Sequence, residues 1–296
     1  MPRLWSEYLI PGTVQEALDV LLRYKGQARI IAGGTDLIIR LKQERCSVPA
    51  VVDVGAIEGL KSISLHGGEV VIGAAVTCAE ALGSPVLRER ALHLVEAIRA
   101  LASAQIRNLA TLAGNVVNAS PAGDTIPPLL TLEARVVIQG PSGKREQGLE
   151  EFLLGPGQTT LAPVELVTHL RFPLPAPGHL CAFEKLGLRR AMSIAVNNAA
   201  VMLWFDDARV TEARIALGAV APTVVRAREA EGFLLDSELD GAVINQAGAL
   251  AKGATCPIDD IRGSAEYRAE MASTLVRRAL GRIERERRKP CWPGWK

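Results

Sequence analysis

The sequence has few aromatic residues and almost no net charge. Phenylalanine, tryptophan and tyrosine make up 4% of its 296 residues, and the formal net charge is +2. Proteins that bind single-stranded nucleic acid stack the bases on aromatic side chains and follow the phosphates with a basic groove. We therefore expect no nucleic-acid partner.

Long apolar runs are also missing. The stretch "IAVNNAAVMLWF" (194–205) is broken by amides and is shorter than the roughly 20 apolar residues of a membrane span, so no transmembrane helix is expected. The N-terminal "MPRLWSEYLIPGT" lacks the basic and apolar regions of a secretion signal. This pattern predicts a cytoplasmic protein.

Clustered cysteines and histidines are absent as well. The spacing of the five cysteines and four histidines matches neither a disulfide framework nor a metal-binding motif, so we predict free thiols and no bound metal. No Ser–His–Asp or paired-carboxylate pattern occurs either, so no catalytic residue is predicted. The cysteines are Cys46, Cys78, Cys181, Cys256 and Cys291.

Helices and strands alternate in the first part of the chain. Apolar residues at helical spacing follow Thr13, a short strand "ARIIAGG" comes next, and "TDLIIRLKQ" reads as a helix that Thr35 or Asp36 could cap. Further strands are predicted in "AVVDVGAI" and "GGEVVIGAAVT", a helix in "AEALGSPVLRERALHLVEAIRALAS", and a strand–turn–strand in "ARVVIQGPSGKREQGLEEFLLG".

A second domain is predicted beyond the proline-rich "RFPLPAPGHL". The length suits two domains of roughly 100–200 residues each, with a boundary near residue 175. A three-stranded meander follows, then helices near 226–236 and 242–252, and a last helix that starts at Ser264. The basic end of that helix is interpreted as solvated, with docking onto an acidic partner as the alternative.

Two stretches rich in small residues stand out, "AGGTDL" (32–37) and "TLAGNVVNASPAGD" (111–124). Glycine allows positive φ and close approach of a ligand to backbone N–H groups, which together form an anion-binding concavity. A pyrophosphate would suit these loops, whereas the carboxylate of Asp124 suits a hydroxyl donor. Each of these features also has a simpler interpretation when taken alone. Gly33–Gly34 could form only a tight turn, and Asp124 could be only a turn cap. Neither GxGxxG nor GxxxxGK[ST] occurs, which argues against Rossmann and P-loop folds.

In this order, "AGGTDL" and "QIRNLATLAGNVVNASPAGDTIPPLLTLEA" resemble the FAD-binding medium subunit of the molybdenum hydroxylases. The family includes carbon monoxide, nicotinate and quinoline dehydrogenases, aldehyde oxidoreductases and the flavin segment of xanthine dehydrogenase. "FEKLGLRRAMSIAV" and "DDIRGSAEYRAEMASTLVRRAL" resemble its C-terminal domain, so the resemblance covers nearly the whole chain.

The resemblance implies an α+β fold. Residues 1–175 would form a vanillyl-alcohol-oxidase (PCMH) type FAD-binding domain of two α/β subdomains, split near residue 55. Residues 176–288 would form a small domain with a three-stranded antiparallel sheet and helices, and 289–296 a tail.

The resemblance also implies which residues bind FAD. The diphosphate would lie on two backbone segments, Asn118, Ser120 and Asp124 would meet the ribityl and phosphate region, and Lys185 would lie by the flavin as a cation that stabilises the reduced ring. The two segments are Ala32, Gly33, Gly34, Thr35 and Asp36, and Thr111, Leu112, Ala113, Gly114 and Asn115.

The implied assembly contains a large subunit with the molybdopterin cofactor and a small subunit with two [2Fe–2S] clusters, and two heterotrimers would pair. The chain would collect single electrons on FAD and pass them to NAD⁺ or another acceptor. Two other functions stay open, a self-contained FAD-dependent oxidoreductase of the same superfamily and a flavin-free assembly subunit.

The sequence departs from the family at two places. Ala113 stands where the family usually has a glycine. Its methyl group is tolerable if φ at Ala113 is negative, but it would obstruct a close phosphate. Met192, Ser193 and Ile194 stand near a position where some relatives carry an aromatic residue over the flavin. The stretch "EARVVIQGPSGKREQGLEEF" (133–152) contains no cysteine. The additional iron–sulfur cluster that hydroxybenzoyl-CoA reductase, one branch of the family, carries in an insertion of this subunit should therefore be absent.

Overall fold

The computed structural model describes residues 4–44, 46–189 and 191–289. The predicted tail (289–296) and Cys291 therefore lie outside the described residues, apart from Lys289.

The chain begins with a small parallel sheet flanked by two helices. The strand order is β1-β3-β2, and the predicted helix after Thr13 is confirmed, because Thr13 Oγ1 accepts the Glu16 N–H at 3.1 Å. These elements are β1 (Trp5–Leu9), α1 (Val14–Arg23), β2 (Arg29–Ile31), α2 (Leu37–Gln43) and β3 (Val48–Asp53).

A larger antiparallel sheet follows, with the strand order β4-β5-β10-β6-β7, while β8 and β9 form a separate hairpin. The strands are β4 (Ile63–His66), β5 (Glu69–Gly73), β6 (Arg135–Gly140), β7 (Gly143–Gly148), β8 (Leu153–Gly155), β9 (Gln158–Thr159) and β10 (Leu166–Pro173). The predicted strand–turn–strand is thus confirmed as β6 and β7, but it ends at Gly148, and residues 149–155 at the end of the predicted segment form a short helix and β8.

Six helices lie between β5 and β6, and a short seventh follows β7. The single helix predicted over "AEALGSPVLRERALHLVEAIRALAS" is wrong. It is three helices, because Pro85 has no N–H to continue a helix and the Ser84 hydroxyl caps a new one. The seven are α3 (Cys78–Gly83), α4 (Pro85–Arg90), α5 (Leu92–Ala100), α6 (Ala104–Arg107), α7 (Leu112–Asn118), α8 (Ile126–Thr131) and α9 (Leu149–Phe152).

The last part of the chain is an antiparallel sheet with helices, as predicted. The meander β11-β12-β13 is confirmed, and a two-residue β14 extends it at the edge. The elements are β11 (Leu180–Gly187), β12 (Ala195–Asp206), β13 (Arg209–Gly218), β14 (Val225–Arg226), α10 (Arg228–Leu234), α11 (Gly241–Gly253) and α12 (Ala265–Arg287). Ser264 caps α12, and at its basic end Arg287 and Arg288 both pair with Glu284.

This last sheet is buried on both faces. On β12, Met202 packs into the core with α5 and α8, whereas its neighbours Val201 and Leu203 pack into the core formed with α10, α11 and α12. Since successive side chains of a strand point to opposite faces, a doubly covered strand is apolar throughout. This explains the uninterrupted run "AAVMLWF". Among the described residues, no helix has the length and apolar character that crossing a membrane requires.

His93 of α5 is buried and neutral. Its Nε2 lies 2.9 Å from Thr131 Oγ1, and the Thr131 hydroxyl donates to the Pro128 carbonyl at 2.9 Å. Because that hydroxyl proton is already used, Nε2 must carry the imidazole proton and donate it. Burial, and to a smaller extent the nearby His179, lower the pKa of His93 to about 3.

His93 should make the protein acid-sensitive. Below its ordinary pKa of about 6.5 the unfolded chain binds a proton that the folded chain refuses until the pH reaches about 3. Within this window the free energy of unfolding should fall by up to about 1.4 kcal/mol per pH unit. Urea unfolding measured at neutral and acidic pH gives the slope of the unfolding free energy against pH. This slope should be shallower for His93→Gln, whose amide can still donate to Thr131, than for the wild-type chain. Equal slopes would contradict a neutral buried imidazole.

Candidate functional site

One large cleft, of about 890 Å³, collects most of the predicted site residues. It lies where α2, α7 and the loop around residues 192–194 meet, and its volume falls within the range of about 300–1,000 Å³ that is usual for ligand sites. The predicted residues that line it are Ala32, Gly33, Gly34, Thr35, Asp36, Thr111, Ala113, Gly114, Asn115, Asn118, Ser120 and Asp124. Leu112 and Lys185 do not line it.

The first stretch reaches the second through a very close backbone contact. A Cβ atom on Gly33 would lie 1.9 Å from the Leu109 carbonyl oxygen and 2.9 Å from the Ala110 nitrogen, so only glycine fits at this position. Gly34 has φ +69°, a left-handed conformation that glycine adopts without strain. The two glycines therefore serve different purposes, close packing and a turn.

The second stretch begins as a helix and not as the predicted loop. Thr111 is the N-cap of α7, and its hydroxyl accepts the Gly114 N–H at 3.0 Å. The Asn115 N–H donates to the Thr111 carbonyl at 3.1 Å, and the Leu112 N–H donates to the Val76 carbonyl at 3.3 Å. Three backbone donors that the sequence suggested for a ligand thus have partners within the chain.

Ala113 borders the cleft, but it is almost completely buried. Ala113 is helical and 4% exposed, and it belongs to the main hydrophobic core together with Leu112 and Val116. Gly114 is more constrained, since a Cβ there would lie 2.8 Å from Thr111 Oγ1 and crowd the cap.

A polar chain joins α2 to the end of α7. Arg40 Nη2 donates to Asn118 Oδ1 at 2.8 Å, and Asn118 Nδ2 donates to Asp36 Oδ1 at 3.2 Å. Asp36 occupies the N-cap position of α2, but its side chain makes no capping bond, and Thr35 donates to it at 3.3 Å. The predicted capping by these residues is therefore not seen, because the Asp36 carboxylate faces Asn118.

Asp124 ties the cleft to the last sheet. Its Oδ2 accepts from Lys185 Nζ at 2.6 Å, and its Oδ1 accepts from Asn198 Nδ2 at 3.0 Å. Lys185 and Asn198 are paired residues on β11 and β12, so their side chains share one face of the sheet. Burial raises the pKa of Asp124, and the charge of Lys185 and the Asn198 amide act against that rise.

Asn198 is a site residue that the sequence reasoning missed. It is 1% exposed, and a Cβ on its cross-strand partner Gly218 would lie 2.1 Å from Asn198 Oδ1. Glycine at 218 thus makes room for the amide. An asparagine inside the apolar run "AVNNAAVMLWF" was the available signal, because a buried amide requires a polar partner.

Several other residues at the cleft were also missed. Arg40 lines it, and its i, i+4 spacing from Asp36 could have placed both on one face of α2. Cys78 borders it as well, but burial raises the pKa of its thiol to about 12, so the thiol is neutral and unreactive at physiological pH. Met192 and Ile194, which the family resemblance places near the flavin, also line the cleft and are 54% and 67% exposed.

Comparison with known families decides the assignment. Residues 4–175 match the family model described as the FAD binding domain in molybdopterin dehydrogenase, and residues 182–283 match the CO dehydrogenase flavoprotein C-terminal domain. The chain belongs to the molybdopterin dehydrogenase flavoproteins. The predicted family and fold class are therefore confirmed, and FAD is the cofactor of this domain type. The predicted domain boundaries and the role of each site residue stay predictions.

Individual members of this flavoprotein family are similar over nearly their full length. The chain is 35% identical to the carbon monoxide dehydrogenase medium chain of Afipia carboxidovorans over 94% of this chain and 96% of that one. It is 28% identical to the putative xanthine dehydrogenase FAD-binding subunit of Escherichia coli K12 over 93% and 95%. The solved carbon monoxide dehydrogenase of Hydrogenophaga pseudoflava superposes with a TM-score of 0.91 at 32% identity, covering 97% and 98%.

The Gly33 contact should not tolerate a side chain. Gly33→Ala places a methyl group against the Leu109 carbonyl, so the two stretches must separate, at a cost of about 3 kcal/mol or more in unfolding free energy and with loss of flavin binding. Gly83→Ala is the matched control, since nothing lies within 4 Å of its new methyl group. Denaturant unfolding and flavin titration of both variants test this. Equal behaviour of the two would show that Gly33 is not a packing constraint.

Lys185 should stabilise the folded chain, because its charge compensates the buried carboxylate of Asp124. Lys185→Met leaves Asp124 charged and buried, which should lower the unfolding free energy by about 3–5 kcal/mol. The double variant with Asp124→Leu should recover much of that loss. Lys61→Met breaks the exposed pair with Glu58 and should cost less than about 1 kcal/mol. Additive losses in the double-mutant cycle would refute the pairing.

Proposed function

We propose that this chain is the FAD-carrying medium subunit of a multi-subunit molybdenum hydroxylase. It would receive single electrons from [2Fe–2S] clusters of a small partner subunit, while a large partner subunit with the molybdopterin cofactor hydroxylates the substrate. The main support is the cleft itself, because both family stretches line it and its size suits a dinucleotide.

The chain's residues fit the cofactor in chemical character. Gly33 and Gly34 leave backbone exposed beside the cleft, and hydroxyl and amide side chains line it, which suits a diphosphate and a polyhydroxyl chain. Ala32–Asp36 together with Thr111, Ala113, Gly114 and Asn115 would hold the diphosphate, and Asn118, Ser120 and Asp124 would meet the ribityl and phosphate region. Leu112 would only support them from the core.

Lys185 would act differently from the free cation that the sequence suggested. Because Asp124 pairs with it at 2.6 Å, the two side chains form a nearly neutral pair, and the Lys185 ammonium also donates to the Ala100 carbonyl at 3.0 Å. Near the flavin, the Lys185–Asp124 pair would therefore contribute a dipole of fixed position and orientation, and not a free positive charge. FAD, when bound, accepts electrons singly and releases them in pairs.

The cleft side near residues 192–194 would leave room for the electron acceptor. Met192 and Ile194 are more than half exposed, and no aromatic side chain stands at these positions. We propose NAD⁺ or another soluble carrier as the acceptor.

The proposed assembly is a dimer of heterotrimers in the cytoplasm. Support comes from relatives that are described as medium chains or subunits of dehydrogenases. We further propose that residues 1–175, split near 55, bind FAD and that 176–288 form the second domain. The family models, which end at 175 and resume at 182, support this division.

The test is the absorption spectrum of the native complex, followed by acid release and identification of the flavin. We expect one FAD per chain, copurification with a large molybdenum subunit and a small iron–sulfur subunit, and bleaching of the flavin by NADH if NAD⁺ is the acceptor. Turnover of an organic substrate by the lone chain would instead indicate a self-contained flavoenzyme. A colourless chain that still binds its partners would indicate an assembly subunit.

A further inference from the structure

We propose that Arg40 supplies the positive charge that balances the FAD diphosphate at the junction of the two stretches. This inference rests on the proposed function and assigns a role to a residue outside both stretches. Arg40 lies on α2, lines the cleft and is exposed.

The position of Arg40 is fixed by its hydrogen bond. Its Nη2 donates to Asn118 Oδ1 at 2.8 Å, which stretches the side chain from α2 across to the C-terminal end of α7. A guanidinium has five N–H donors in a planar fork, so most of them stay available to a ligand. The group is therefore held beside both stretches with donors to spare.

Among the described residues that line the cleft, Arg29 and Arg40 are the cations without a carboxylate in ion-pair contact, and Arg40 is the one that bonds to the second stretch, through Asn118. Of the other charged residues lining the cleft, Asp124 pairs with Lys185, and Glu165 pairs with Arg145. Arg29 directs Nη1 toward the carbonyls of residues 26–28. Within the described ranges, Arg40 has no carboxylate in ion-pair contact, and Asp36 reaches it only through the Asn118 amide.

A diphosphate in this cleft needs a positively charged side chain such as the Arg40 guanidinium. Both phosphates of FAD are ionised at neutral pH, and a charge-assisted bond from arginine to a phosphate oxygen is stronger than a neutral one. The first turn of α7 offers fewer free backbone donors than its sequence suggested, because the N–H groups of Leu112, Gly114 and Asn115 are already bonded within the chain. A side-chain cation would make up for these donors.

The test compares FAD and riboflavin, which lacks the diphosphate, in titrations of the flavin-depleted full-length chain at low and high salt. Arg40→Gln removes the charge, and Arg40→Lys keeps it. Lys42→Gln is the matched control, because it removes an equal charge from the same helix at an exposed residue that does not line the cleft.

We expect Arg40→Gln to weaken FAD binding about tenfold at low salt, less at high salt, and to leave riboflavin binding unchanged. Arg40→Lys should recover part of the loss, and Lys42→Gln should stay near the wild-type affinity. Equal losses for FAD and riboflavin, or equal FAD affinities of Arg40→Gln and Lys42→Gln, would overturn the proposal and leave the proposed function standing. A wild-type chain that binds no FAD would overturn both.

Discussion

The close contact between Gly33 and the Leu109 carbonyl is the constraint on which the cleft depends. The first stretch leaves the small parallel sheet, and the second follows the helices that pack on the larger antiparallel sheet. They can form one site only if their backbones meet, and the 1.9 Å that a Cβ atom would leave to the carbonyl permits no side chain between them. Gly34 then turns the chain into α2, whose Arg40 reaches the far end of α7.

A second constraint connects this cleft to the last sheet. Asp124 is buried, so its charge requires compensation, and both compensating groups come from the paired residues Lys185 and Asn198 on β11 and β12. Gly218 on the next strand leaves space for the Asn198 amide. The chain segment between α7 and α8 is therefore placed by the last sheet, and a flavin held by that segment would be sensitive to changes in β11 and β12.

Local signals in the sequence predicted much of the fold. The helix starts at Thr13 and Ser264 and the meander were predicted correctly, because the hydrophobic period and the signals of a helix start are properties of neighbouring residues. The prediction of one long helix through Pro85 was wrong, because proline has no N–H to continue the helix. The segment after Thr111 was predicted as a loop, although a capping threonine before "LAGNVVN" is equally typical of a helix start, and its small residues obscured that signal.

Other features of the site depend on contacts between residues far apart in the chain. No local pattern shows that Gly33 meets Leu109, that Asp124 meets Lys185, or that Arg40 meets Asn118. The resemblance to a known family identified the two stretches and Lys185, but Arg40 and Asn198 required the folded structure. A crystal structure of the chain with FAD tests the account most directly. We predict the diphosphate between Ala32–Asp36 and α7, within hydrogen-bonding distance of Arg40. A diphosphate outside this cleft would contradict the account.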